Sequence, residues 1–465
     1  MLDLSDIQGL VFSGHGHLPH SRFLFLRVRD RKRAQAWLTA VAPLIASAAR
    51  RKRGSPKPAA TAQIAFTFAG LESFGLDADS LAGFPREFAE GMSMGERPRA
   101  LGDTDASAPE TWQFGGPANP AIHILLVLYG ENHAKMTELV GQPWYPSRPD
   151  SGVDIVFDQE SFRRDNNEPF GFRDGISQPV IEGGPTPADP TQRALTTGEF
   201  LLGYPNEYAN LSPAPTVRSA ADPHNLLPAE ESDPARKAFG LNGTYLVLRK
   251  LEQDVDGFWR WCKDNSRELG STPGSDAAVA LAAKLVGRWP SGCPLTLSPE
   301  QDNPAIGGDD KLNNDFLFAP TDLAGHACPI GSHIRRSNPR DVLHPNNPAR
   351  SLEISNRHRL MRRGRPYLEE TPARKAGLIF IAINADLQRQ FEFIQQTWLN
   401  NPKFNGLFDD QDPMVSNCAG PGTMTIQRSP VRKTIHGLPQ FTTVRGGAYF
   451  FLPGVRAIHF LASAP

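Results

Sequence analysis

A surplus of charge of either sign is missing from this chain of 465 residues. Forty-nine lysines and arginines stand against 50 aspartates and glutamates, a formal net charge of −1. Proteins that grip nucleic acid through its phosphates carry a basic excess, so no nucleic-acid partner is expected. A disordered chain would combine a larger net charge with fewer aromatics than the 9% found here. Long apolar runs are missing too. The longest, Ala121–Leu128 and Gly377–Ile383, have the length of strands and fall short of the roughly 18 residues that a bilayer span needs. No membrane partner is expected. The first residues, MLDLSDIQGLVFSGHG, lack the basic start, apolar core and small-residue cleavage site of a secretory leader, so the expected location is the cytoplasm. Cysteine is scarce: Cys262, Cys293, Cys328 and Cys418, none in a C-x-x-C pair. That excludes a disulfide scaffold and leaves no zinc ribbon or dithiol site to read. The phosphate-loop, dinucleotide, zincin and serine-hydrolase signatures are all absent.

Glycine (41) and proline (42) are abundant instead, together well above the roughly 12% of an average chain. Much of the molecule should be long, ordered loop. Four segments read as a short apolar strand feeding a helix: Phe23–Val28, Ile122–Leu128, Tyr245–Arg249 and Leu378–Ile383, each followed by a helical pattern. After the fourth, Leu387, Phe391, Ile394 and Trp398 form an amphipathic stripe. FLFLRVRDRKRAQAWL and YLVLRKLEQDVDGFWRW share one pattern, and the segments at Ile122 and Leu378 form a second such pair. This suggests a duplicated unit and an α+β architecture of two halves, residues 1–215 and 235–465, joined through the Pro-, Ala- and Ser-rich stretch 210–238.

Three constellations carry chemistry. Gly171-Phe-Arg-Asp-Gly175 sets Asp174 between two glycines, which permit a left-handed turn and close approach of backbone to a flat ligand. Alone, it fits an ordinary Asp-Gly turn. Cys328–Asp341 holds His333 among Arg335, Arg336 and Arg340. Neutral imidazole ligates metals, haem iron included, and guanidinium forks bind carboxylates such as propionates. Alone, a single His more often fills a structural role. Six arginines fall between Arg350 and Arg365, which reads as a solvated basic face or as the seat of an anionic ligand. His15, His17 and His20 form H-x-H-x-x-H, but Gly16 and Pro19 point to an irregular loop.

Taken in order along nearly the whole chain, these segments resemble the dye-decolourising peroxidases. The resemblance runs from Asp6-Ile-Gln-Gly-Leu-Val through LAGFPREFAEGM (81–92) to Gly171–Gly175. It continues through Val286–Ser298, Asn313-Asn-Asp-Phe316 and Cys328–Arg340. QFEFIQQTWLNNPKF (390–404) and Arg445–Pro453 complete it. It implies two ferredoxin-like halves, barrel-like together, with antiparallel sheets flanked by helices. One non-covalent haem b would lie in the second half, and the Gly171–Gly175 loop would close over its distal face. His333 falls on the iron ligand and Asp174 on the distal acid–base. Arg362, in Leu360–Tyr367, falls on the distal arginine, with Arg363 and Arg357 as alternatives. Asp412 would pair with His333, with Asp410 behind it. Arg335, Gly175 and Arg363 are expected to contact the cofactor. The implied reaction is peroxide-driven, one-electron oxidation of bulky aromatic donors through a ferryl state. Trp398, Tyr367 and Tyr449 would relay electrons or simply pack in the core. The alternative reading is a protein that carries haem or releases its iron with little turnover.

Overall fold

The computed structural model describes residues 2–50, 54–187, 191–266, 276–344, 346–370, 374–417 and 420–464. In the first half, β1 (His20–Val28) leads into α1 (Arg31–Val41), capped by Asp30 accepting the Arg33 N–H. Then come β2 (Ala60–Phe66), β3 (Ile124–Gly130), α2 (His133–Gly141) and β4 (Val153–Phe162). The second half repeats the plan with longer insertions. β5 (Thr244–Gln253) leads into α3 (Val255–Asn265), followed by α4 (Ala277–Val286) and the short α5 (His333–Ser337). The strands β6 (Met361–Arg362), β7 (Arg365–Glu369), β8 (Lys375–Asn384) and β9 (Thr442–Leu452) complete it.

These nine strands form one antiparallel sheet in the order β4-β1-β3-β2-β9-β5-β8-β6, with β7 also on β8. With β6 and β7 counted as one interrupted strand, the order within each half is fourth, first, third, second. The paired sequence segments occupy matching places: Phe23–Val28 and Tyr245–Arg249 lie in the first strands, Ile122–Leu128 and Leu378–Ile383 largely in the third. The halves join where β2 meets β9 at Phe66↔Phe451.

β3 shows why such strands read as unbroken apolar runs. It is buried along its whole length, because both faces are covered. Ile124, Leu126 and Leu128 enter one core, which also takes Trp37 and Leu38 of α1. Leu125, Val127 and Tyr129 enter another, shared with Leu246, Leu248 and Ile381 of the second half. The sheet therefore curls around this second core. Its edges approach where Ser161 Oγ of β4 donates to the Pro366 carbonyl of β7 at 2.6 Å. No ladder joins those edges among the described residues, so the barrel-like expectation gives way to a curled, open sheet.

The helix after β8 departs from the expected winding. It consists of two π-helical segments, Leu387–Glu392 and Ile394–Leu399. All four stripe residues, Leu387, Phe391, Ile394 and Trp398, are buried. Cys262, Cys293 and Cys328 are free and buried, while Cys418 lies outside the described residues. No helix among the described residues is long and apolar enough to cross a membrane.

Candidate active site

The insertions of the second half and the loop after β4 enclose a cavity of about 270 Å³. Its walls include Phe172, Ile334, Leu360, Phe380 and Phe391. His333, Asp174, Gly175 and Arg362 all line it.

His333 opens α5, whose preceding Ser332 is anchored by donating from Oγ to the Lys284 carbonyl at 2.6 Å. Its Nδ1 lies 2.9 Å from Asp412 Oδ2. Asp412 is 1% exposed. Its other oxygen accepts the N–H groups of Met414 and Val415 at 2.9 and 3.0 Å. Burial pushes this carboxyl up, but the His333 contact, Arg336 and the Met414 N–H together hold it below its ordinary value. An ionised Asp412 accepts a proton-bearing Nδ1, which leaves Nε2 as the ring's lone-pair nitrogen for the cavity. The side chain of His333 keeps 28% exposure there.

Asp174 sits on a loop that folds back on itself. The Asp174 N–H donates to the Asn166 carbonyl at 2.7 Å and the Glu168 N–H to the Phe172 carbonyl at 2.9 Å. Gly171 and Gly175 have φ of 99° and 83°, left-handed values that favour glycine. Asp174 Oδ1 accepts the Gly175 N–H at 2.6 Å and faces Arg362 Nη1 at 3.4 Å. Arg362 is fixed by donating from Nη2 to the Ile176 carbonyl at 2.7 Å, and its backbone N–H donates to Gln178 Oε1 at 2.9 Å.

Five further arginines line the same cavity: Arg173 and Arg249 are paired with Asp310 and Asp103, and the other three are Arg288, Arg340 and Arg359. Arg288 donates to the Gly292 carbonyl, Arg340 to the Phe316 carbonyl and Arg359 to the Ser177 carbonyl, at 2.9, 2.7 and 2.8 Å. None of these three has a carboxylate partner among the described residues. Burial, and then Arg362, pulls Arg359 down to about 10. Burial does the same to Arg288, with Arg362 and Arg173 adding to it. Arg288 is buried and Arg340 and Arg359 are half-buried, and cations so placed that face only neutral acceptors are costly unless an anion completes them. The cavity is built for a ligand with an apolar body and acidic groups.

Several expected residues lie elsewhere. Arg335 is fully buried and turned away, donating to Asp322 Oδ2 at 3.1 Å and to the Cys328 carbonyl at 2.9 Å. It is not on the cavity wall, so a cofactor contact for it is set aside. Replacing it with leucine strips a partner from buried Asp322. We expect a loss of about 3–5 kcal/mol in urea unfolding, with the cavity chemistry otherwise intact. Arg363 also points away, donating to the Leu10 and Val11 carbonyls at 2.9 Å each. Arg357 stacks on Tyr208 at 4.1 Å. Asp410 accepts the Thr425 N–H at 2.9 Å rather than meeting His333. Trp398, Tyr367 and Tyr449 are buried and do not line the cavity. Buried His15 packs on Tyr129, and no group of three or more metal-ligating side chains gathers among the described residues. Arg288 and Arg340 fall inside segments that carried the resemblance, and Arg359 inside the arginine-rich run, yet no spacing rule picked them out.

No protein-family model matches the chain. A dye-decolorizing peroxidase of Exidia glandulosa is 29% identical over 485 residues, which cover 98% of this chain and 86% of that protein. Another, from Auricularia auricula-judae, is 30% identical over 490 residues with the same coverage. The crystal structure of a fungal DyP-type peroxidase from Auricularia auricula-judae superimposes with a TM-score of 0.80 at 27% identity, covering both chains in full.

Proposed function

Because the chain belongs to the dye-decolourising peroxidase family and is an oxidoreductase, we propose that it binds one haem b non-covalently in this cavity and uses hydrogen peroxide to oxidise bulky aromatic donors in one-electron steps. One observation carries this reading: a carboxylate-locked imidazole and an Asp–Arg pair line a single apolar cavity. The donor set suits the group. His333 Nε2 supplies the ligand, Phe172, Ile334 and Phe391 supply apolar contact, and the uncompensated Arg288, Arg340 and Arg359 suit its two propionates.

Bound haem supplies the redox-active iron at which peroxide is reduced. The protein supplies the rest. Asp412 keeps the proton on His333 Nδ1 and makes Nε2 a stronger donor. Asp174 takes a proton from one peroxide oxygen and returns it to the other, which departs as water. Arg362 Nη1 stabilises the negative charge that develops on the departing oxygen. A haem carrier needs the imidazole and the arginines but neither Asp174 nor Arg362, so the pair favours the enzyme. The test is absorbance near 400 nm after haem is supplied, followed by peroxide-dependent bleaching of a dye. A colourless protein overturns the cofactor; a coloured protein inert to peroxide overturns the reaction.

The arginine cluster gives a second test. Arg359→Leu removes one uncompensated cation. We expect haem affinity to fall by 10- to 100-fold, equivalent to a charged hydrogen bond of about 1.5–3 kcal/mol. The haem-free protein should stay within about 1 kcal/mol of wild type, because the lost repulsion offsets the lost bond to Ser177. Haem titration and thermal unfolding of the haem-free form measure the two effects separately.

A further inference from the structure

Behind Asp174 lies a second carboxyl that the reaction above does not use. Glu168 lines the haem cavity on one side and, on the other, an outer cleft of about 1030 Å³ between β4, β7 and the start of α3. Gln253 at the end of β5 shares that position between the two spaces. The Glu168 carboxylate accepts the N–H groups of Phe172 and Phe170 at 3.0 Å each and Gln253 Nε2 at 2.8 Å. No cation pairs with it among the described residues.

The surrounding charges are divided. The inner cavity presents Asp174, His333 and six arginines, among them Arg173, turned to Asp310 at 2.9 Å, and Arg249 of β5, paired with Asp103. The outer cleft presents His20 and Arg22 of β1, His133 of α2, Glu160 of β4, Arg164 and Asp165 after β4, Asp254 and Asp256 at α3, and Glu370 and Arg374 near β7. Burial, joined by the charge of Asp174, raises Glu168 to about 7 against its three donors. The proton on Glu168 therefore responds to the charge that Asp174 carries.

Gln253 adds an independent sign. Its Oε1 is buried and has no partner. In the ionised state of Glu168, Nε2 of the amide donates to the carboxylate. A protonated carboxyl instead needs an acceptor, and a half-turn of the same amide brings Oε1 to that place. The orphaned oxygen is thus the partner that the second protonation state requires.

We propose that Glu168 is a positioning residue for peroxide chemistry: it takes a proton from solvent in the outer cleft when Asp174 is ionised and releases it there when Asp174 is protonated. The two carboxyls together then carry one negative charge throughout, and Asp174 remains able to gain and lose its proton. This rests on the reading of Asp174 as the acid–base.

The test uses haem-loaded wild type, Glu168→Gln, Gln253→Leu and Asp174→Asn. Glu168→Gln keeps the size and an accepting oxygen but cannot titrate. In infrared difference spectra, wild type should show a protonated-carboxyl C=O band that disappears as pH rises through neutrality, and Glu168→Gln should lack it. Gln253→Leu removes a donor to the ionised form, so the band should persist to higher pH. The rate of the peroxide-induced Soret change should inflect near neutral pH in wild type and lose that inflection in Glu168→Gln. A band that survives in Glu168→Gln, or an unchanged inflection there, overturns the proposal. Asp174→Asn reacting at the wild-type rate would instead overturn the acid–base reading beneath it.

Discussion

Asp174→Asn is expected to slow the reaction with peroxide by about 10²–10⁴-fold while haem content stays at the wild-type level. The asparagine keeps an oxygen for the Gly175 N–H, which donates to Asp174 Oδ1 at 2.6 Å. What it loses is a site that can gain and release a proton. The Arg362 contact at 3.4 Å, with both side chains about a third exposed, contributes little to folding. A shift of less than about 1 kcal/mol is expected in thermal unfolding. The rate and the stability therefore separate: a large kinetic loss without unfolding marks an acid–base residue. Stopped-flow absorbance after mixing with peroxide gives the rate, and the haem spectrum before mixing gives the loading. A wild-type rate at normal loading would remove Asp174 from the mechanism and leave Arg362 without the partner that justifies an enzyme over a carrier.

The places where sequence reasoning reached the site, and where it stopped, follow from periodicity. Strands covered on both faces, such as Ile124–Gly130, announce themselves as apolar runs. The glycines at 171 and 175 mark a loop that needs left-handed backbone. The two arginine expectations failed for reasons already contained in the chain. Arg335 follows His333 by two positions on α5, which rotates it ~200° away. Ile334, Ser337 and Asn338 share the cavity with His333 instead. Arg363 follows Arg362 directly along an extended segment, where successive side chains point to opposite faces, and its guanidinium accordingly reaches Leu10 and Val11. Arg288 and Arg359 had no such signal, and Arg340 stood only as one of three arginines following His333. The convergence of Arg288, Arg340 and Arg359 depends on three separate loop and strand ends, and Arg340 even adopts a φ of 53°. The π winding after β8 was equally hidden, because the spacings of 4, 3 and 4 there read as an ordinary α-helical stripe.

His333→Ala should remove the ligand without removing the pocket. The apolar walls and arginines remain, so the variant should bind haem more weakly and with an altered ferric spectrum and spin state. Loss of the ring leaves an empty space beside Asp412 Oδ2, which formerly met Nδ1 at 2.9 Å. Free imidazole can occupy that space, donate to Asp412 and present its second nitrogen to the cavity. Added imidazole should therefore restore the wild-type Soret position, an outcome that a merely structural His333 would not give. Asp412 also predicts how stability responds to pH. In wild type, His333 and its neighbours overcome burial and hold the carboxyl below its ordinary value. That stabilisation is present above the unfolded carboxylate's pKa and is lost as pH falls through the lower folded value. Without His333 the contribution of burial gains weight, and one oxygen of a fully buried carboxylate loses its partner. The variant should lose about 1–3 kcal/mol at neutral pH. The deficit should shrink in acid, where protonation removes the buried charge from variant and wild type alike. Unfolding curves across that range, with and without imidazole, measure both effects on one protein. A wild-type spectrum without imidazole would place the iron ligand elsewhere, and an equal deficit at every pH would sever His333 from Asp412.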